Sequence, residues 1–179
     1  MTVADDIKKE GYNKFTNYSL FPYNCISYLI DDDESEIIWK LLYYNTPDAW
    51  GKSNLTKSQK GGLIYAGQAD QTLYRVFLDT GMDDAWTKQS CLIRISPLEL
   101  FPRDYVVGSI RIGVEVYAHF DINHLTNYTT RVDSITEHII SAFNGQVVEG
   151  LGRLYFHKTT TVGRLPFKGK ATIFNNWIA

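Results

Sequence analysis

The sequence predicts an α+β fold: a mainly antiparallel sheet, a long helix at about residues 131–143 packed across it, and N-terminal helices. Three observations predict it. Residues 109–120 alternate strictly between apolar and polar side chains, as in a strand with one buried face. Residues 131–143 place their apolar side chains at helical spacing. Residues 151–157 then return to a strand pattern, so strand, helix and strand follow one another.

Length and composition indicate one soluble globular domain. The 179 residues suit a single core, and neither a repeat nor a low-complexity linker divides them. We therefore predict one domain over 1–179, with a helical extension at 1–34 and an α+β core at 35–179. Hydrophobic residues make up 44% and charged residues 21%, which excludes a disordered chain. No apolar run is long enough to span a membrane, and the polar, acidic N-terminus is unlike a signal peptide, so we expect an intracellular product and no membrane partner.

Two helices are predicted before residue 50. Pro22 can occupy a first helical turn, and the apolar residues that follow it at helical spacing are Cys25, Ile26, Leu29 and Ile30. Asp33 and Glu36 have the spacing of a capping box. They predict a second helix, whose apolar face consists of Ile37, Ile38, Leu41 and Leu42.

Short strands are predicted from residue 63 onward. Residues 63–66, 73–78 and 90–95 are rich in aliphatic, aromatic and β-branched side chains and are separated by glycine or proline. In residues 109–120 one face should be buried and the other wetter. Residues 158–169 are predicted to be a loop, and a last apolar run covers 171–178.

The long helix carries signals at both of its ends. Its apolar stripe consists of Val132, Ile135, Ile139 and Phe143. Thr129 or Thr130 can cap the start, and Asn144-Gly145 should end it.

We find no catalytic motif, and we expect neither a metal nor a cofactor. Gly51-Lys52-Ser53 resembles the end of a phosphate-binding loop but lacks the upstream glycine and strand. His119 and His124 lie near acidic residues without a metal-binding spacing. The two cysteines, Cys25 and Cys91, are best explained as small buried hydrophobes.

A divergent metal-dependent nuclease is the enzymatic alternative. Asp104 and Glu115 have a tolerable spacing for holding magnesium on a strand. Tyr117 occupies the position where such nucleases carry a lysine, so the water would not be activated in their usual manner.

Charge is distributed unevenly along the chain. Nine acidic residues fall in the first fifty positions, and they include Asp31, Asp32, Asp33, Glu34 and Glu36. Residues 150–179 contain no acidic residue and carry Arg153, Lys158, Arg164, Lys168 and Lys170. This asymmetry is either chance clustering on a solvated surface or a complementary contact between copies of the chain. A basic loop could also contact DNA non-specifically through its phosphates.

Two aromatic residues near the C-terminus are candidate interface anchors. Phe174 and Trp177 follow the basic residues, and tryptophan is favoured at the centre of protein interfaces. The predicted contact residues are therefore Asp31, Asp32, Asp33, Glu34, Arg164, Lys168, Lys170, Phe174 and Trp177.

Three segments resemble tailed-bacteriophage neck proteins, the head–tail connector and tail-completion components. They are residues 37–50 (IIWKLLYYNTPDAW), residues 74–108 with YRVFLDTGMDDAW and CLIRISPLELFPRDYVVG, and residues 131–156 (RVDSITEHIISAFNGQVVEGLGRLYF). In the last segment a helix, Asn144-Gly145 and a glycine-flanked strand follow one another, which is similar to the end of many small connector domains.

The resemblance implies a virion structural protein at the neck, where the head joins the tail, made in the host cytoplasm. It implies a homo-oligomeric ring of six or twelve subunits, either tail terminator or connector. Portal, connector or tail proteins would be its partners, and DNA would pass through its lumen. The alternatives are the nuclease that uses Asp104 and Glu115, and a cytosolic adaptor without a virion role.

Overall fold

The protein is α+β, as the sequence predicts. The computed structural model describes residues 18–102 and 108–176. These form four α-helices: α1 (Phe21–Asp31), α2 (Glu36–Tyr43), α3 (Lys57–Gly61) and α4 (Arg131–Phe143). They also form six strands: β1 (Val76–Leu78), β2 (Cys91–Pro102), β3 (Gly108–His119), β4 (Val147–Val148), β5 (Gly152–Arg164) and β6 (Phe167–Asn176).

The six strands form one sheet in the order β1-β2-β3-β6-β5-β4. β1 runs parallel to β2, and every other neighbouring pair is antiparallel. Two long hairpins, β2–β3 and β5–β6, therefore make up most of the sheet. β3 and β6 pair along almost their whole length and join the two hairpins.

The main core lies between one face of the sheet and helices α1, α2 and α4. The predicted inward residues of β3 are at most 1% exposed as far as Ala118, and Phe120 lies beyond the strand end, where it is 37% exposed. Helix α4 packs across β3 and β6, and the ring of Phe143 lies 5.5 Å from that of Phe174. Helix α1 contributes Phe21, Cys25 and Leu29 to the same core, so it is an integral part of the packed body.

Arg131, the first residue of α4, is fully buried and joins α4 to α2. Its guanidinium donates hydrogen bonds to the backbone oxygens of Ile122, Leu41, Tyr44 and Thr46. Two of these oxygens belong to the C-terminal end of α2 and its cap, where carbonyls lack partners within the helix. The positive charge is therefore stabilised by carbonyl dipoles at a helix C-terminus.

A second, smaller core covers part of the opposite face of the sheet. It consists of Phe77, Met82, Ala85, Leu92, Tyr117 and Phe167. Because Tyr117 is only 9% exposed, the face of β3 that was predicted to be wetter is covered at this end. The segment between β1 and β2 supplies this cover, and alternation within a single strand cannot reveal it.

The predicted loop at residues 158–169 is wrong. This segment forms the end of β5, a tight turn and the start of β6. Its threonines and lysines are mostly exposed on both faces of the hairpin, so no buried face marks the strand in the sequence. The last apolar run is the second half of β6, which begins earlier, at Phe167.

The predicted capping box at Asp33 and Glu36 is also wrong. Asp32 instead accepts a hydrogen bond from the Glu34 backbone and opens a short 3₁₀ turn, Asp33–Ser35, before α2. A capping box does occur at the start of α3, between Thr56 and Gln59. Thr56 has the extended backbone of an N-cap (φ −70°, ψ 156°), whereas Ser35, which precedes α2, has a ψ of 0° and forms no side-chain cap.

The early strands are shorter than their apolar runs suggested. Residues 73–78 contribute only β1, and residues 63–66 contribute one isolated bridge between Ile64 and Val76. The other predicted helix-end signals are confirmed. Pro22 lies in the first turn of α1, Thr130 caps α4, and Asn144-Gly145 ends α4 with a positive φ at the glycine.

Candidate functional site

The acidic run forms a corner of the molecule between α1 and α2. We call Asp31, Asp32, Asp33 and Glu34 the acidic corner. Asp31 forms an ion pair with Lys57 on α3, and Asp32 accepts hydrogen bonds from Ser35 and the Glu34 backbone. Asp33 and Glu34 are exposed. One lysine therefore faces four carboxylates, and the corner stays strongly negative.

An open cavity of about 450 Å³ adjoins the acidic corner. We call it the α1 cavity. Its partly apolar lining includes Tyr23, Tyr28 and Val147, and its acidic lining consists of Asp31, Asp32 and Glu149. Tyr23 and Val147 are 57% and 61% exposed, so much of this apolar surface is open to solvent. A cavity with apolar walls and carboxylates suits a ligand that is apolar at its centre and cationic around it.

The far wall of the α1 cavity is held against α1 by a specific contact. The side-chain amide of Asn24 donates to the backbone oxygen of Glu149, at 3.0 Å. Gly150 follows with a φ of +72°, and a Cβ atom there would lie 2.9 Å from the Asn24 amide nitrogen. The positive φ favours glycine at position 150, and the Asn24 hydrogen bond holds the turn before β5 beside α1.

The charge of the acidic corner acts on the cavity wall. The pKa of Tyr28 is raised above its ordinary value, first by burial and then by the negative charges of Asp32 and Glu34. A cation placed in the cavity would be attracted by the same carboxylates.

The basic segment of the C-terminal third forms the tip of the β5–β6 hairpin. We call residues 164–168 the hairpin tip. Leu165 is 84% exposed at its end, whereas Phe167 is 1% exposed, and its ring lies 5.0 Å from that of Trp86. The Phe120 backbone N–H donates to the Pro166 oxygen, at 3.1 Å. The tip is therefore held against the sheet, and it presents one leucine to solvent.

Two cations flank this leucine. The Arg164 guanidinium lies 5.2 Å from the Trp86 ring centroid and 3.6 Å from an Asp83 oxygen, in a largely exposed pair. The Lys168 ammonium lies 5.7 Å from the Phe120 ring centroid, and no carboxylate among the described residues pairs with it. Exposed pairs contribute little, so both cations can still attract an acidic surface.

The remaining predicted contact residues lie elsewhere. Lys170 forms an ion pair with Asp133 in the first turn of α4. Phe174 is fully buried between α4 and the sheet, so this side chain belongs to the core of the subunit and presents no surface anchor. Trp177 lies outside the described residues.

The acidic corner and the hairpin tip lie at opposite ends of the molecule. At one end of α4, in its second half, Ser141 lines a small cavity together with Glu34 of the acidic corner. At the other end, Asp133 in the first turn of α4 forms an ion pair with Lys170 on β6. The α1 cavity adjoins the start of β5, and the hairpin tip is the end of β5. A strand of 13 residues is about 40 Å long at about 3.3 Å per residue. The tip of one chain therefore cannot reach the cavity of the same chain.

Of the two residues of the nuclease alternative, the structure describes only Glu115. Asp104 lies outside the described residues. Glu115 forms an ion pair with Arg94, at 2.7 Å, and accepts a hydrogen bond from Tyr117. In residues 18–102 and 108–176, no group of three or more His, Cys, Asp or Glu side chains is arranged to hold a metal ion.

Sequence reasoning missed three residues that shape these two surfaces. Leu165 was placed in a loop. A leucine-proline pair between two cations in the sequence could have indicated a contact surface there. Tyr23 and Val147 carry no sequence signal, because the cavity arises only when the turn before β5 folds against α1.

Comparison with known protein families gives a match over most of the chain. Residues 35–175, from the residue before α2 into β6, match the model of the YomW family. No curated protein matches the chain. None of the helices in the described part of the chain has the length and apolar character needed to cross a membrane.

Proposed function

Because the chain belongs to the YomW family, a phage-derived family, we propose that it is a structural protein of the phage neck that acts by assembly. Its subunits would form a ring between head and tail, as the resemblance to connector and tail-completion proteins implies. The phage origin rests on the family match, and the position in the virion rests on that resemblance.

One observation carries the proposal: two complementary surfaces lie at opposite ends of one rigid body. The acidic corner is beside α1, and the cationic hairpin tip is at the far end of β5. A subunit with such ends can bind a second copy head to tail. Contacts of this kind generate closed rings when the rotation between neighbours completes a circle.

The fold suits a ring subunit mechanically. Its sheet and α4 share one packed core, and Arg131 ties α4 to the C-terminal end of α2 through hydrogen bonds to the Leu41 and Tyr44 oxygens. A rigid subunit keeps the angle between neighbours constant, which fixes the number of subunits. We propose six or twelve, with portal or tail proteins bound to the two faces of the ring.

The basic strands give the ring a means of contact with DNA. Lys158 is exposed in the middle of β5. Lysines bind phosphates without reading bases, which suits a passage that DNA of any sequence must cross.

Deletion of the gene from the encoding phage tests the role. We expect lysates of the deletion strain to contain separate heads and tails in electron micrographs. Expression of the wild-type chain in trans should restore joined particles. Mass spectrometry of purified wild-type virions should detect the chain at six or twelve copies per particle, with antibody label at the neck.

Two results would overturn the proposal. One is normal, infectious virions from the deletion strain. The other is absence of the chain from purified virions whose portal and tail proteins are detected in the same sample.

A further inference from the structure

We propose that the hairpin tip of one copy inserts into the α1 cavity of the next copy. This inference rests on the proposed function and gives the ring its subunit contact. The occupant of the α1 cavity is therefore a second copy of this chain, with Leu165 at the centre of the contact and Arg164 and Lys168 at its edge.

Size and surface chemistry of the cavity fit this occupant. A volume of about 450 Å³ lies within the range of about 300–1,000 Å³ that takes a drug-sized ligand, so it has room for the side chains of a tight turn. Tyr23, Tyr28 and Val147 can pack on Leu165. Aromatic walls around one inserted apolar side chain are typical of the centre of a protein interface.

Charge complementarity selects the orientation. The cavity lining includes Asp31, Asp32 and Glu149, and Glu149 is exposed without a basic partner among the described residues. The tip carries two cations, of which Lys168 has no carboxylate partner in residues 18–102 and 108–176. Such an arrangement speeds encounter and excludes tip-to-tip or cavity-to-cavity contacts, which would place like charges together.

The tip is already ordered in the conformation that would bind. Phe167 anchors it from below, and the hydrogen bond from Phe120 to Pro166 holds the turn. A preorganised apolar projection loses little entropy on insertion. An apolar projection that matches a pocket elsewhere on the same molecule produces a heterologous contact, and such contacts form rings or filaments.

Three single substitutions test the contact. Leu165→Asp alters the tip, Val147→Asp alters the cavity, and Leu73→Asp is the matched control, because Leu73 is 60% exposed and belongs to neither the hairpin tip nor the cavity lining. Sedimentation velocity over a concentration series measures self-association. We expect the tip and cavity variants to associate at least 10-fold more weakly than wild type, and the control to be unchanged. Far-UV circular dichroism should show that all three remain folded, since each replaced side chain is exposed.

Mixing the two weakened variants gives the sharper result. The Val147→Asp copy keeps an intact tip, and the Leu165→Asp copy keeps an intact cavity. Each alone should be monomeric, and an equimolar mixture should form a 1:1 dimer and nothing larger. Leu165→Cys combined with Val147→Cys should give a ladder of disulfide-linked oligomers on oxidation, because the native Cys25 and Cys91 are buried.

The outcomes separate this contact from the virion role. Wild type that stays monomeric at every concentration, a mixture that stays monomeric, or a tip variant that assembles like wild type would each overturn the contact. A cavity that binds only a portal or tail protein would also overturn it, and the neck role would stand. Tip-dependent association together with absence from virions would overturn the neck role and leave the contact.

Discussion

Replacing Arg131 with methionine should lower the free energy of unfolding by about 3–5 kcal/mol. The side chain is fully buried, and its guanidinium donates four hydrogen bonds of 2.5–3.0 Å to backbone oxygens. Methionine fills similar apolar space but donates no hydrogen bond. The variant therefore leaves the oxygens of Ile122, Leu41, Tyr44 and Thr46 without this donor.

The magnitude follows from these acceptors. A buried polar group left unsatisfied costs about 1–3 kcal/mol. The Thr46 oxygen keeps the Ala49 N–H as a donor, so the other three carbonyls set an upper limit of about 9 kcal/mol. Removing the cation offsets part of this cost, because burial destabilises the charged guanidinium. The same burial lowers the pKa of Arg131 below its ordinary value. Relaxation of the structure and entry of water reduce the cost further. The expected loss is therefore about 3–5 kcal/mol, the range for breaking a buried charged network.

Equilibrium unfolding in urea, followed by tryptophan fluorescence, measures the loss. The comparison requires similar slopes for variant and wild type, so that the shift in midpoint reports stability alone. Arg153→Met is the matched control, since Arg153 is exposed and donates to the single oxygen of Gly145. Its expected cost is about 0.5–1.5 kcal/mol.

A loss below about 1 kcal/mol for Arg131→Met would refute this account of Arg131. It would mean that the four carbonyls find other partners and that α4 does not depend on Arg131 for its attachment to α2. The stability of Arg131→Lys should lie between those of wild type and Arg131→Met, because an ammonium keeps the charge but cannot reach all four oxygens at once.

Three further predictions concern packing, reactivity and pH. Gly169→Ala should cost about 1–3 kcal/mol in urea unfolding, because its Cβ would lie 2.5 Å from a ring carbon of Tyr117. Burial raises the pKa of the Cys25 and Cys91 thiols to about 12, so a thiol reagent at pH 8 should label them only after denaturation. Burial raises the pKa of Asp133, but hydrogen bonds from its lysine and threonine partners outweigh this and hold it below its ordinary value. The stability that Asp133→Asn removes should therefore be present above about pH 4 and disappear as the pH falls further.

Much of the fold was predictable because strong periodic patterns report burial. The alternation in β3 and the apolar stripe of α4 each repeat over about 12 residues, and both elements were placed almost to the residue. Capping by Thr130 and the stop at Asn144-Gly145 were also readable, since they depend on neighbouring residues only. The strand predicted at 151–157 is the first half of β5, whereas the outer part of the β5–β6 hairpin was missed, because a strand with two wet faces lacks the pattern that marks the others.

The candidate site was only partly predictable for a related reason. Charge asymmetry is visible in the sequence, and it indicated both the acidic corner and the basic end. Which charges are free was not visible: Lys170 is paired with Asp133, whereas Lys168 has no carboxylate partner among the described residues. The aromatic residue Phe174 was assigned to an interface by its type, and its burial on α4 shows that type does not determine exposure.

The sequence by itself determined the fold class, the long helix with both of its ends, the inward face of β3 and the separation of charge along the chain. Each of these depends on residues close together in sequence, where backbone geometry sets the period. Tertiary structure alone decided that Arg131 holds α2 and that the turn before β5 closes the α1 cavity. It also placed Leu165 and that cavity at opposite ends of β5, a strand about 40 Å long. These are contacts between distant segments, and no local pattern encodes a distance across the sheet.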